Sequence, residues 1–438
     1  GSLLAGRLFH RPIPLRLRRD RVKLEMFHLM PYRDLPADFA ETYHSVWVDI
    51  PSHLFDPERA NAMFNDTLDE LELAATVGYD GVCVNEHHQN AYGLMPSPNI
   101  MAASLARRTR DVALIVLGNS IALYNPPVRV AEEFAMLDCI SGGRLVAGFP
   151  VGSSQDTNFG YGMNPATLRD RYYEAERLIV ESWTNPDVFA FNGKYTQLRY
   201  VNIWPRPLQR PHPPIWIPGG GSIETWGWCL EKSYLYAYLS YGGFKRGKMV
   251  MDGFWRKADE LGVEPNPYHA GFLQLVAVGE SESQVAEQFG PHGEYFYNKM
   301  LHVYPGFREA PGYRTLDTIR MGLLGQTTSF GDRPPSLRWQ DLLDQGNIIA
   351  GTPNQVIEQL EHVIKSLRVG HLMLLNQFGS IPHDLAMQNI RLIGERVLPK
   401  LRHLWDGEWE DHWWIKPSPT RRQPPKLMIE PELAATTR

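Results

Sequence analysis

Eight short apolar runs, many of them rich in β-branched residues, recur along this chain at 24–30, 81–85, 113–117, 145–149, 214–217, 234–239, 272–278 and 371–375. Longer amphipathic stretches lie between them, among them 59–77, 99–108, 128–140, 168–183, 247–261, 353–367 and 383–398. Strand-length runs separated by helix-length stretches predict βαβ units and a parallel sheet. Eight such strands in one chain predict an α/β fold, a single (β/α)8 TIM barrel, with a doubly wound sheet as the second option. Two long segments, 31–57 after the first strand and 279–351 after the seventh, exceed ordinary barrel connections. Loops that follow barrel strands build the C-terminal face, so both insertions belong there, as lids or as carriers of small elements of their own. Residues 1–22 read as a disordered tail whose opening Gly1-Ser2 is a cloning remnant, 23–404 as the barrel, and 405–438 as an arm. The arm carries Trp409, Trp413 and Trp414, which pack on the barrel before a Pro- and Thr-rich end that frays.

The 438 residues carry a formal net charge of -5, which argues against a nucleic-acid partner, because neutralising phosphates needs a surplus of Lys and Arg. The basic run that includes Arg11, Arg16, Arg18, Arg19 and Arg21 is expected to be a solvated tail rather than a nucleic-acid or membrane arm. Cys83, Cys139 and Cys229 form neither a disulfide framework nor a zinc-ligand spacing and read as buried thiols in a reducing compartment. No apolar run reaches membrane-span length and no signal-peptide pattern opens the chain, so a cytoplasmic protein without a membrane partner is expected.

Chemistry-bearing residues cluster at the ends of the predicted strands. Glu86-His87-His88 follows the second strand, at the barrel mouth. Neighbouring strand residues point to opposite faces, so the two histidines do not both face inward, and a two-histidine metal site is disfavoured; no metal is predicted. One histidine there can serve as a general base or hydrogen-bond donor. Gly118-Asn119-Ser120 ends the third strand, where small residues let a flat ligand approach the backbone. Asp138, Gly142, Gly143 and Arg144 read as a helix closed by a glycine turn, with Arg144 paired to a carboxylate such as Asp138. Gly219-Gly220-Gly221-Ser222 follows the fifth strand and opens a helix; its N–H groups can converge on an anion, with Ser222 as the N-cap. The stretch from Gly242 to Lys248 has P-loop spacing, but Met249 stands where a magnesium-binding Ser or Thr is required. No Gly-x-Gly-x-x-Gly follows a strand, so reducing equivalents are expected to arrive with another protein.

These features, in this order, resemble the bacterial luciferase-like flavin-dependent monooxygenases, over roughly residues 22–404. The resemblance rests on Glu86-His87-His88, Ser97-Pro98, Gly118-Asn119-Ser120, Asn125-Pro126-Pro127, Glu132-Glu133, Ser141-Gly142-Gly143-Arg144 and Gly221-Ser222 with Thr225. It implies a (β/α)8 barrel that binds reduced FMN delivered by a separate flavin reductase and uses O2 through a C4a-peroxyflavin. A small organic substrate is then oxygenated, by hydroxylation or Baeyer–Villiger insertion. It further implies a homodimer. His87 would face the flavin, with His88 as the second histidine of the pair. Asn119-Ser120 would lie beside the isoalloxazine, where relatives often have a cis non-proline peptide. Gly220, Gly221, Ser222 and Thr225 would hold the phosphate, with Tyr172 near it. The family pattern has an arginine where this chain has Val151, before Gly152. Ser153 or Ser154 would replace it, or the flavin is held loosely, as suits a two-component enzyme. The substrate would sit under the insertions, walled by His28, Met30, Tyr32 and Tyr92. The alternatives are a deazaflavin (F420)-dependent oxidoreductase on the same barrel, a non-catalytic flavin-binding relative, and a metal-dependent hydrolase.

Overall fold

The computed structural model describes residues 20–152, 154–239, 241–304, 307, 312–324 and 336–424. Its strands are β1 (Lys23–Phe27), β2 (Gly81–Asn85), β3 (Ala113–Leu117), β4 (Leu145–Gly148), β5 (Phe189–Asn192), β6 (Gln197–Val201), β7 (Ile215–Gly219), β8 (Leu235–Tyr238), β9 (Ala270–Val278), β10 (Ile348–Gly351) and β11 (His371–Leu375). Parallel pairing runs β11-β1-β2-β3-β4-β7-β8, and β9 joins β8 to β11, which closes an eight-stranded barrel. All eight apolar runs of the sequence become barrel strands. Their residues are buried almost throughout, as expected where side chains fill the barrel on one face and helices cover the other.

Local chemistry sets the helix ends. Helix Pro57–Val77 starts on Asp56, whose carboxylate accepts the Glu58 and Arg59 N–H groups, and stops at Gly78 with φ 111°. Gly142 closes helix Val128–Ser141 at φ 75°, so the glycine turn is where its sequence places it. Among the described residues, Arg144 does not pair with a carboxylate. Its buried guanidinium donates to the carbonyls of Ser141, Val112, Ala106 and Thr109 and to the Thr109 hydroxyl, while Asp138 accepts from Gln209. One Arg here ties off a whole helix-to-strand turn, since its forked donors match clustered carbonyls.

Strand β10 and the β5–β6 hairpin are absent from the sequence reading, and the buried position expected of Cys139 is corrected. Strand β10 belongs to the end of the 279–351 segment and adds to β9 in parallel, and that segment also carries helices Glu282–Tyr295, Leu316–Leu323 and Trp339–Asp344. A β5–β6 antiparallel hairpin lies between β4 and β7. Cys139 is exposed, not buried. Of the proposed arm, residues 405–424 are described and cover the N-terminal end of the barrel. The Trp216 indole donates to the Trp413 carbonyl, and His269 stacks on Trp413. The buried His371 lies 3.0 Å from Glu25 and 3.5 Å from Asp411, and Lys23 is 3.7 Å from the same Asp411. Burial alone would lower the His371 pKa, but Asp411 and Glu25 outweigh it and push it up to about 9. The tail through residue 19 and the chain after 424 lie outside the described residues. No helix among the described residues is long and apolar enough to cross a membrane.

Candidate functional site

At the C-terminal ends of the strands, connections after β2, β3, β4 and β7 converge on a cavity of about 260 Å³. Glu86 and His87 come from the first of these, Ser120 from the second, Gly152 and Ser154 from the third, and Gly220, Ser222 and Thr225 from the fourth.

The two histidines separate. His87 lines the cavity, with Nδ1 3.3 Å from the Asp156 carboxylate. Burial would raise Asp156, but the hydrogen bond and charge of His87, with help from Ser154 and the His88 N–H, hold it below the ordinary carboxylate range. An ionised Asp156 therefore favours the tautomer with the proton on Nδ1. His88 is buried away from the cavity, with Nδ1 2.9 Å from the Tyr161 hydroxyl and Nε2 3.1 Å from Glu86. Glu86 also accepts from the Ser120 N–H and the Tyr124 hydroxyl. Burial would raise the Glu86 carboxyl, and these partners, His88 foremost, bring it below its ordinary value. Glu86 thus ties the β2 and β3 connections together.

Asn119 takes the left-handed conformation, φ 64°, which Asn tolerates better than most residues. Its amide is buried in a two-way hydrogen bond with Asn99, at 2.7 and 3.1 Å. The Asn119 side chain is therefore spent on the scaffold, and Ser120 faces the cavity. The cis peptide bonds of the described residues all precede proline, so Asn119–Ser120 is trans. Gly152, at φ 75°, packs so close to Ser120 that a Cβ would come within 2.8 Å of its side chain.

The phosphate-type turn opens helix Ile223–Lys232. A Cβ on Gly220 would meet none of the described residues within 4 Å, and Gly221 has a φ of 102°. Ser222 is the N-cap residue, but its hydroxyl does not bond a helix N–H; it contacts the Tyr313 phenol instead. Beside the turn lies a residue that sequence reasoning missed. Arg169, on helix Pro165–Thr184, reaches the Thr225 hydroxyl at 3.4 Å and the Tyr313 hydroxyl at 2.9 Å. Its buried Nε has no hydrogen-bond partner among the described residues. A buried cation beside a glycine turn at a helix start fits an anion. The signal was faint: an arginine three residues ahead of Tyr172, on another helix from the turn.

Other expected residues lie elsewhere. Tyr172 is buried and its hydroxyl donates to the Phe149 carbonyl, so it does not border the cavity. His28 bonds Glu70 at 2.8 Å, and with Met30 it lines a separate crevice of about 10 Å³ under helix Pro57–Val77. Side chains that leave β1 toward the helix layer cannot also wall the barrel mouth. Tyr32 and Tyr92 do border cavities, Tyr92 that of Ser222 and Tyr32 a second one. Ser153 is outside the described residues.

Residues 46–370 match the family described as luciferase-like monooxygenase, and the chain belongs to it. The chain is an enzyme of this flavin-dependent family, some of whose members use F420. It is 30% identical over 351 residues to the uncharacterized protein y4wF of Sinorhizobium fredii, covering 78% of this chain and 94% of that one. Among solved structures it is similar to the oxygenating constituent of 3,6-diketocamphane monooxygenase from Pseudomonas putida, in complex with FMN. That likeness has a TM-score of 0.65 at 17% identity and covers 86% of this chain and 98% of that one. It is also similar to an F420-dependent secondary alcohol dehydrogenase, with a TM-score of 0.59 at 16% identity over 87% of this chain and 99% of that one.

Proposed function

We propose that this chain is the oxygenase component of a two-component monooxygenase, which takes reduced FMN from a separate flavin reductase and uses O2 to oxygenate a small organic substrate. The observation that carries this reading is one cavity bordered both by the Gly220–Ser222 turn and by His87, whose ring pairs with Asp156. Bound FMN would supply the oxygen chemistry. Gly220, Gly221, Ser222 and Thr225 would take its phosphate, with Arg169 as the balancing charge in place of the arginine that Val151 lacks. Ser120 and Gly152 would face the flavin ring. His87 holds a proton on Nδ1 against Asp156 and can donate or accept one at Nε2. Tyr92, edge-on to the His87 ring at 4.6 Å and bonded to Tyr241 at 2.6 Å, fixes that ring and helps exclude water. The choice between hydroxylation and Baeyer–Villiger insertion rests with the substrate, and a homodimer in the cytoplasm remains part of this proposal.

The test is anaerobic titration with reduced FMN and, separately, reduced F420, followed by rapid mixing with oxygenated buffer. Tight binding of reduced FMN and reoxidation slower than that of free reduced FMN support the proposal. Binding of F420 alone, with hydride transfer to a substrate and no oxygen dependence, replaces it with the deazaflavin alternative.

A further inference from the structure

A second cavity, about 550 Å³, opens on the other side of His87, between the 31–57 insertion and the connection after β2. This volume is in the usual range for a site that encloses a small ligand. Its walls are Leu35, Ile50, Leu54, Phe55, Phe64 and Leu94, with Tyr32 among them. None of its described lining residues is Lys, Arg, Asp or Glu. Two nearby pairs of charges are tied to each other, Arg33 to Asp66 and Arg59 to Asp34. The polar lining residues are His87, Gln89, Asn90, Ser52 and Tyr32. Asn90 has its amide nitrogen on the His88 carbonyl and Asp156 and its oxygen on the Gly93 N–H, and the Tyr32 hydroxyl accepts the Asp56 N–H. His87 lines both cavities, and Tyr92, beside it, borders the first.

We infer that this second cavity is the substrate site and that it selects an uncharged, hydrocarbon-rich molecule whose one polar group faces His87. The inference rests on the proposed function for the role of His87, but the selection by charge stands on the cavity lining itself. A carboxylate or ammonium placed here would lose its water and meet no Lys, Arg, Asp or Glu in the lining, while the one histidine there is already paired with Asp156. A neutral molecule would bury its apolar surface on the aliphatic and aromatic walls and bring its polar end to the edge of the flavin cavity.

The experiment uses the full chain without flavin and matched probes: 2-acetylnaphthalene and cyclohexyl methyl ketone against 2-naphthoate and cyclohexanecarboxylate, measured by equilibrium dialysis. The ketones are expected to bind at least about tenfold tighter than the carboxylates, and Leu54→Arg, at the end of the 3-10 turn Ser52–Leu54, to reverse that order. Ile50→Trp, which fills the cavity without charge, is expected to weaken the ketones by about tenfold. Equal or tighter carboxylate binding, binding of neither class, or ketone binding unmoved by both variants overturns the inference. Reduced-FMN affinity, titrated on the same proteins, is expected to stay unchanged. Its absence in the wild type, with ketone selection intact, would sink the proposed function and leave the selective cavity standing.

Discussion

His87 Nδ1 and the buried Asp156 carboxylate meet at 3.3 Å although they come from different barrel connections, after β2 and after β4. The pair fixes the ring that stands between two cavities. His87→Ala should keep reduced-FMN binding within about threefold and lower turnover by about 10²–10⁴, the usual contribution of a positioned proton donor or acceptor. Asp156→Asn keeps the shape but not the charge, and should cost about 10–10² in turnover with FMN binding little changed. Stopped-flow turnover beside a flavin titration measures both. Wild-type turnover in His87→Ala would remove the residue from the chemistry.

Arg169 is expected to discriminate FMN from riboflavin, because only FMN carries the phosphate. A charge-assisted hydrogen bond contributes about 1.5–3 kcal/mol, so Arg169→Ala should weaken reduced FMN by about 10–150-fold and leave reduced riboflavin unchanged. Equal losses for both flavins would show that Arg169 only supports the fold through Tyr313 and Thr225.

Two glycines should respond in opposite ways to the same substitution. A Cβ on Gly148 would sit 2.2 Å from the Val116 carbonyl oxygen of the neighbouring strand. Gly148→Ala must push two barrel strands apart and should destabilise the protein by about 3 kcal/mol or prevent folding. A Cβ on Gly220 meets none of the described residues within 4 Å, so Gly220→Ala should change stability by less than about 0.5 kcal/mol. Its methyl enters the flavin cavity, so FMN affinity should fall. Urea denaturation and flavin titration of the two variants decide this.

The His371–Asp411 contact makes an alkaline limit. The folded-state pKa of His371 is raised from 6.5 to about 9, so its stabilisation is fully present below the ordinary histidine value and is lost as pH rises through about 9. Asp411→Asn removes one of the groups that raises it, and should move that loss to lower pH. Melting temperatures from pH 6 to pH 10 are expected to fall earlier in the variant. Parallel curves would show that the arm holds the barrel without help from the His371–Asp411 contact.

Much of the architecture was legible in the chain. The eight apolar runs fixed the barrel because a parallel strand buried on both faces leaves an uninterrupted apolar stretch. Gly142 and the Gly220–Ser222 turn were legible because a left-handed φ and an open backbone leave few residue choices. Strand β10 and the β5–β6 hairpin were not, since runs of four or five residues inside long loops carry little periodicity.

The sequence by itself determined the closed βα order, the family and the local turns at the strand ends, because these depend on residues close together in the chain. Only the tertiary structure decided which side chains meet. It turned His28 and Met30 to the helix layer, used Tyr172 and Asn119 as scaffold, and sent Arg144 to backbone carbonyls. It also brought Arg169 to Thr225, 56 positions along the chain, and Asp156 to His87, 69 positions away. Barrel closure sets these pairings: it fixes where each strand end points, and no local pattern encodes the distance between two strand ends.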